Sequence, residues 1–265
     1  MNQTFNIIAP HKCGTTVLFN NILADESERY YATKPEPGSN QKPLTGPLIE
    51  DSSKVKTLDN IFIFKLPGID NTSSRVTINA TRNLEWLQSC NSQDKMIFIL
   101  RNPISITISA FYSYNYTHPM DGMHPKQRED RYINRELGLH GYVMKYINFH
   151  AWKIQQLWNH PNEHKLILPY ELMITKFDVF LRRLLLYMNM GSLYDDIYSK
   201  HFDKFIPGPD LTDQIVDNNL KAHKRTSNIN EWREKIPQNL IDTMCNNHPI
   251  ISTYQNFLDE QLQTS

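Results

Sequence analysis

The chain has 265 residues, of which 40% are hydrophobic and 21% are charged. This length suits a single hydrophobic core, because domains divide beyond about 250–300 residues, and the apolar content excludes a disordered chain. The charges of the 28 basic and 28 acidic residues cancel. The chain as a whole therefore has no excess positive charge that would attract nucleic acid or an anionic membrane. We therefore expect one domain over residues 1–265 that binds any anion through a local site.

The number of cysteines and the length of the apolar segments indicate the cellular compartment. The three cysteines, Cys13, Cys90 and Cys245, are too few and too scattered for a disulfide framework or a zinc site. The sequence has neither a signal-peptide pattern nor the roughly 18 consecutive apolar residues of a membrane span. We expect a cytoplasmic protein without a metal, a membrane partner or a nucleic-acid partner. Its oligomeric state stays open, a homodimer included.

Apolar runs typical of buried strands alternate with helical spacings along the chain. Thr4–Ala9 predicts a strand before a helix over 14–23, and Ile61–Lys65 predicts a buried parallel strand before a helix from Ser73 or Ser74 to Leu87. A strand at Lys95–Leu100 precedes a helix over 104–114, and a helix over 141–158 precedes a strand at 165–168 and a helix over 177–187. This alternation predicts an α/β fold with a central, mainly parallel sheet flanked by helices on both faces.

Two polar segments, at about 26–58 and 117–140, interrupt this alternation. They contain many Pro, Asn, His and Tyr residues and read as long irregular loops. Loops of this length inside a compact domain are usually functional, so we expect them to line the pocket of a small-molecule acceptor. Their polarity favours a small polar metabolite or a natural product over a steroid or a lipid.

The loop after the first predicted strand carries the clearest chemical signal. From His11 to Thr16 it reads HKCGTT, which places a lysine, a glycine and two hydroxyls at the start of a helix. Backbone amides, the positive helix end and a cation together suit a phosphate group. A Walker A loop requires Lys after its second Gly, whereas here Lys12 precedes Gly14. An ATP-dependent P-loop kinase is therefore kept only as an alternative.

The same loop resembles the P-K-S-G-T-T loop of sulfotransferases that use 3′-phosphoadenosine 5′-phosphosulfate (PAPS), with His for Pro and Cys for Ser. Three further elements follow in the family's order along the chain. They are Arg101-Asn102-Pro103 with Ser109, which resembles the 3′-phosphate motif; Tyr170-Glu171, which resembles the family's Y-E; and Arg225-Thr226-Ser227, which resembles the start of its C-terminal motif. The four elements spread over most of the chain, and the resemblance implies the P-loop-like sulfotransferase architecture.

The resemblance also implies a cofactor and a set of roles. The cofactor would be PAPS, the product 3′,5′-ADP (PAP), and no metal would be required. Sulfuryl transfer to a hydroxyl or amine would be in line, with Lys12 offsetting the charge on the leaving group. The residues implied in cofactor binding are Lys12, Cys13, Gly14, Thr15 and Thr16 at the phosphosulfate, Arg101 and Ser109 at the 3′-phosphate, and Tyr170, Arg225, Thr226 and Ser227 elsewhere.

Two departures from the family pattern matter for the cofactor. Val17 stands where the family has an aromatic residue on adenine, so Tyr170 is the candidate for that stacking. Thr226 and Ser227 replace a Lys and a Gly, which leaves Arg225 as the cation of the C-terminal motif.

The general base is the third departure. Members of the family that the chain resembles end their second strand in K-T-H-x-P or E-K-[ST]-P, with His or Glu as base, whereas this chain reads FKLP from Phe64. Lys65 would stabilise the sulfuryl group, or would act as base if its pKa were lowered. His11 is the nearest alternative base, followed by Glu36 and Asp70. The missing base also leaves open a non-catalytic 3′-phosphoadenosine-binding module.

Overall fold

The structure is a computed structural model that describes residues 2–24, 27–31, 42–43, 58–66, 74–117, 123–205, 210–218 and 226–264. The chain divides into two compact units, residues 1–100 with 158–205 and residues 101–157 with 206–265. Each unit is described by itself below. The expectation of a single domain stays a prediction.

The first unit contains a sheet that has seven strands within the described residues. They are β1 (Asn2–Ile8), β2 (Glu28–Tyr31), β3 (Lys42–Pro43), β4 (Asn60–Leu66), β5 (Ser74–Thr81), β6 (Lys95–Leu100) and β7 (Lys165–Pro169). Their order is β3-β2-β4-β5-β1-β6-β7. The pairs β5–β1, β1–β6 and β6–β7 are parallel, and β4 is antiparallel to both β2 and β5. The predicted α/β fold with a mostly parallel sheet flanked by helices is confirmed.

The helices of the described residues follow here in chain order. They are α1 (Thr15–Val17), which continues as a π-helical turn over Leu18–Ile22, α2 (Pro103–Tyr112), α3 (Pro125–Trp158), α4 (Tyr170–Thr175), α5 (Phe177–Tyr187), α6 (Tyr194–His201), α7 (Thr212–Asn218), α8 (Glu231–Lys235), α9 (Gln238–Asn247) and α10 (Ile250–Gln263). In the part of the chain that the structure describes, no helix is long and apolar enough to cross a bilayer.

Burial explains why the central strands form where they do. In β6, Met96–Leu100 are all fully buried, which is the pattern of a parallel strand covered on both faces. In β5, Val76, Ile78 and Ala80 are buried while the residues between them are partly exposed. This alternation is typical of a strand that has one face in the core and the other closer to solvent. The first unit therefore places its core around the strands that precede the candidate site.

The second unit has a core of its own. Ile104, Ile108 and Phe111 of α2 pack with residues of α3, and with Trp232 and Met244 from the C-terminal helices. This core holds α2, the helix that follows Arg101 in the sequence.

Two predictions around β4 and β5 are wrong. The segment from Ser74 forms a strand rather than the start of a helix, because its alternation follows a period of two, and only Leu84–Ser89 form a short 3₁₀ helix. Strand β4 was expected to be parallel but runs antiparallel. Only residues 67–73 separate β4 from β5, whereas a parallel connection needs a dozen residues or more.

The two expected irregular loops also need correction. Within 117–140, the chain is helical from Pro125 onward in α3, with one non-helical residue, Gly138 (φ 66°, ψ −179°). Residues 118–122 lie outside the described residues. Within 26–58, β2 and β3 are regular strands, and 32–41 and 44–57 lie outside the described residues, Glu36 with them. Their role in an acceptor pocket stays a prediction.

Candidate active site

The loop between β1 and α1 has an unusual backbone. Both Lys12 (φ 72°) and Gly14 (φ 77°) have positive φ, and the amide of Cys13 donates to the carbonyl of Pro10 over 3.1 Å. Positive φ in a residue other than glycine is uncommon and concentrates at functional sites. Alternation of right- and left-handed residues also orients successive amides into concavities that bind anions. The backbone at Lys12 and Gly14 therefore supports the prediction of a phosphate loop.

Side-chain burial separates the roles of the loop residues. Cys13 is fully buried and Thr15 is 7% exposed, whereas His11 and Thr16 are exposed and Lys12 is half-buried. The thiol of Cys13 is therefore out of reach of a ligand, and its amide already donates to the carbonyl of Pro10. The side chains of His11, Lys12 and Thr16 are therefore accessible to a ligand.

Helix α4 packs closely against this loop. A Cβ atom added to Gly14 would lie 2.3 Å from the Cε atom of Met173 and 2.8 Å from a ring atom of Tyr170. Side chains do not approach that closely, so the position requires glycine both for its φ and for its space. The structure thus brings the HKCGTT loop and Tyr170 together. The stacking of Tyr170 on adenine stays a prediction.

The parallel strands of the sheet end at a common edge, and the residues that follow them lie there. Ile8 of β1 is level with Thr81 of β5, and Leu100 of β6 is level with Pro169 of β7. The carboxyl ends of these strands therefore lie at the same edge, where ligands bind in open α/β sheets. Tyr170 follows β7 directly, which accounts for its position beside the loop.

The R-N-P sequence has a local structural reason. Arg101 is the first residue after β6, and the side-chain oxygen of the buried Asn102 accepts from the amide of Ile104 over 2.9 Å. Asn102 therefore caps α2, and Pro103 occupies its first turn, where the missing N–H costs nothing. The motif fixes the end of a strand and the start of a helix around one half-buried arginine.

The remaining predicted cofactor residues belong to the second unit. Ser109 lies on α2, half-buried, and Thr226 and Ser227 are half-buried in the segment before α8. The Thr226 hydroxyl accepts from the amide of Asn228 over 3.1 Å, which closes a local turn. Arg225 lies outside the described residues. The binding roles of all four stay predictions.

Lys65 does not lie where sequence reasoning expected it. Because β4 is antiparallel, Lys65 is level with Arg75 at the beginning of β5, and Arg75 is level with Asn2 at the beginning of β1. At about 3.3 Å per residue, the strand separates Lys65 from the HKCGTT loop by roughly 20 Å. Lys65 therefore lies at the opposite edge of the sheet.

The surroundings of Lys65 also exclude the role of base. Its ammonium contacts the carboxylate of Glu28 over 2.7 Å, and its side chain is 67% exposed. The hydrogen bond and the charge of Glu28 raise the pKa of Lys65, whereas a lysine base requires a lowered pKa. The expectations that Lys65 stabilises the sulfuryl group or acts as base are both wrong for this fold. Asp70, the last candidate, lies outside the described residues.

Sequence reasoning missed two charged residues at the correct edge. Arg82 follows β5, and Asp59 precedes β4, whose first residue is level with Ala80. The guanidinium of Arg82 contacts the carboxylate of Asp59 over 2.8 Å. The period-two pattern of β5 was the signal that could have placed Arg82 beside the loop. Among the described residues, no group of three or more His, Cys, Asp or Glu side chains could hold a metal ion.

Comparison with known proteins identifies the architecture. No family model and no curated protein matches the sequence. Among solved structures, the chain is similar to mouse sulfotransferase SULT7A1 complexed with PAP, with a TM-score of 0.51 and 16% sequence identity. The match covers 100% of this chain and 89% of the mouse chain. The chain therefore has the fold of a sulfotransferase, and at this identity the likeness extends to the fold alone.

Proposed function

We propose that this protein is a PAPS-dependent sulfotransferase that transfers a sulfuryl group to a hydroxyl or amine of a small polar molecule. The observation that carries the proposal is the loop at Lys12 and Gly14, with its two residues of positive φ and its close contact with Tyr170. This loop follows the first strand of a sulfotransferase fold. The mouse protein of the same fold was crystallised with PAP.

The loop fits one end of such a donor substrate. A Cβ at Gly14 would collide with Met173 and Tyr170. Only glycine therefore allows this turn, in which the backbone amides can face a ligand. The Lys12 side chain adds a cation next to those amides. A cation at the bridging oxygen favours transfer, because negative charge develops there as the sulfuryl group leaves.

The other end of the donor carries a 3′-phosphate. We assign it to Arg101, because a guanidinium binds a phosphate through two parallel hydrogen bonds. Ser109, eight residues further on, would add a hydroxyl donor. PAPS supplies the activated sulfuryl group, and the chain's own residues supply position and charge, as in phosphoryl transfer.

The proposed function also includes points other than the donor. The acceptor, the cytoplasmic location and the absence of nucleic-acid and membrane partners stay predictions. Two competing functions make different demands on the same loop: a P-loop kinase would prefer ATP with Mg²⁺, and a non-catalytic module would bind PAP without turning over PAPS.

Calorimetric titration with PAP, 5′-ADP and ATP–Mg²⁺ tests the proposal. We expect PAP to bind at least about tenfold more tightly than 5′-ADP, because hydrogen bonds to a charged group contribute about 1.5–3 kcal/mol. Arg101→Ala should remove this preference, and Lys12→Ala should weaken both PAP and 5′-ADP. Lys65→Ala, which removes a cation at the opposite edge of the sheet, is the matched control. Tighter binding of ATP–Mg²⁺ than of PAP would reject the proposal in favour of a kinase.

A further inference from the structure

Three chain segments of the first unit meet next to the HKCGTT loop. The amide of Ala9, just before the loop, donates to the carbonyl of Thr81 at the end of β5 over 3.0 Å. The amide of Asp59, just before β4, donates to the carbonyl of Ala80 over 3.1 Å. The residues after β1, before β4 and after β5 therefore lie side by side at the edge where a ligand would bind.

The carboxylate of Asp59 is held in one orientation by Arg82. Its Oδ2 atom accepts from the backbone amide of Arg82 over 2.6 Å and from Nε over 3.1 Å, and its Oδ1 atom accepts from a terminal guanidinium nitrogen over 2.8 Å. The Asp59 side chain is 24% exposed. A bidentate pair with an additional backbone hydrogen bond is far more rigid than a surface ion pair.

His11 lies two residues after Ala9 in the loop, close enough to Asp59 for its charge to act on this carboxylate. Burial tends to raise the pKa of Asp59, but the hydrogen bonds from Arg82 and the charges of Arg82 and His11 outweigh it and hold that pKa below its ordinary value. The interaction is reciprocal, since a carboxylate that is stabilised by imidazolium also stabilises the imidazolium. The His11 ring is exposed, so a substrate and solvent can reach it.

We propose that His11 is the general base of the transfer and that Asp59, fixed by Arg82, positions its imidazole. This inference rests on the proposed function. A base next to the reacting group and a third group that orients the base is the arrangement that activates hydroxyls in many enzymes. His11 also supplies a proton acceptor in place of Lys65, which lies at the opposite edge of the sheet.

The proton and electron pairs balance in this scheme. His11 accepts the proton of the acceptor's hydroxyl or amine as the oxygen or nitrogen forms its bond to sulfur. The bond from sulfur to the bridging oxygen breaks, and its electron pair stays on that oxygen, where Lys12 offsets the charge. Asp59 stabilises the imidazolium until His11 releases the proton to solvent.

A ligand-free measurement tests the Asp59–His11 interaction. The ring signals of His11 are followed by NMR against pH in protein labelled with ¹³C-histidine, and are identified by their loss in His11→Gln. The ionisable groups around this loop include Lys12, which is the next residue, the Asp59–Arg82 pair and the phenol of Tyr170, which packs on the loop. We expect Asp59→Asn to lower the titration midpoint of His11 by at least about half a pH unit, because the imidazolium loses its carboxylate.

Glu28→Gln, which removes the carboxylate of an ion pair at the opposite edge, is the control and should leave that midpoint unchanged. An unchanged midpoint in Asp59→Asn would overturn the positioning role, independently of whether the protein binds PAPS. If Asp59→Asn does not fold, Arg82→Lys serves instead, since it loosens the carboxylate without removing it, and a midpoint identical to the wild type would again count against the proposal.

A turnover measurement tests the base. Release of ³⁵S-sulfate from PAPS uses water as the acceptor and needs no knowledge of the natural substrate. We expect His11→Gln to lower this rate by about 100-fold or more, the usual contribution of a general base, while PAP affinity measured by calorimetry stays within about twofold. In Asp59→Asn the acidic limb of the pH–rate profile should move to lower pH, which a purely structural role would not produce.

The outcomes separate the two proposals. A wild-type protein that binds PAP and releases no sulfate above the uncatalysed rate, or a His11→Gln variant that keeps its rate, overturns the base. A wild-type protein that does not bind PAP overturns the proposed function, and the base role falls with it.

Discussion

Replacing Gly14 with alanine tests the close approach of α4 to the HKCGTT loop. The added methyl group would meet the Cε atom of Met173 at 2.3 Å and two ring atoms of Tyr170 at 2.8 and 2.9 Å. Met173 can swing its flexible end away, whereas the rigid ring of Tyr170 has to turn or shift as a whole. The substitution therefore displaces Tyr170 from the loop.

The magnitude has two parts. Placing alanine at a φ of 77° costs about 1–2 kcal/mol of backbone strain. Overpacking against Met173 and Tyr170 costs about 1–3 kcal/mol more. We therefore expect Gly14→Ala to lower the free energy of unfolding by about 2–5 kcal/mol, measured by urea denaturation.

Gly138→Ala is the matched control, since Gly138 also has positive φ (66°) but a Cβ there would meet nothing within 4 Å. It should cost about 1–3 kcal/mol from strain alone and should leave PAP affinity unchanged. Gly14→Ala should in addition weaken PAP at least about tenfold, the equivalent of 1.4 kcal/mol. A Gly14→Ala variant as stable as the wild type would refute both the packing and its consequence for binding.

Three further predictions concern the edges of the sheet and the cap of α2. Lys65→Ala should change neither the urea midpoint nor PAP affinity, because the exposed pair with Glu28 lies away from the site; a loss of PAP binding would restore Lys65 to the site. Asn102→Ala should lower the free energy of unfolding by about 0.5–2 kcal/mol through the lost cap, and an unchanged value would argue against that cap. Burial raises the pKa of Asp59, but the hydrogen bonds from Arg82 outweigh it, so the pKa in the folded protein lies below its ordinary value of 3.8. The stabilisation that the Asp59 carboxylate gives the fold is therefore present above pH 3.8 and is lost as the pH falls through the pKa of the folded protein. Urea midpoints of Asp59→Asn should therefore lie below those of the wild type at pH 7 and converge with them at the acid end, whereas a constant gap would contradict the lowered pKa.

Elements with a strong local signal could be predicted from the sequence almost to the residue. The apolar run at Lys95–Leu100 and the apolar helix over Phe177–Tyr187 have the predicted bounds. The strand is buried over Met96–Leu100. The helix buries one apolar face, which contains Phe177, Phe180, Leu181, Leu184 and Leu185. Each therefore carries a strong local pattern of apolar residues. The HKCGTT loop could be placed for a similar reason, because its chemistry is contained in six consecutive residues.

Strand direction could not be predicted in the same way. A continuous apolar run indicates a strand that is buried on both faces, which is usual for parallel strands but also occurs in the antiparallel β4. The deciding information lay in the next segment, where the alternation of Val76, Ile78 and Ala80 should have predicted β5 instead of a helix. With a strand there, the short connection over 67–73 leaves only an antiparallel pairing.

The reversal of β4 exchanges the charge that this strand contributes to the candidate site. A strand parallel to β1 brings its last residues to the ligand-binding edge, which would have placed Lys65 there. An antiparallel strand brings its first residues instead, so the edge receives Asp59, the residue before β4, and Arg82 from β5 meets it there. One change of direction thus replaces the ammonium of Lys65 at this edge by the carboxylate of Asp59. In the mechanism proposed above, the base therefore comes from the loop after β1, and the residue before β4 positions it.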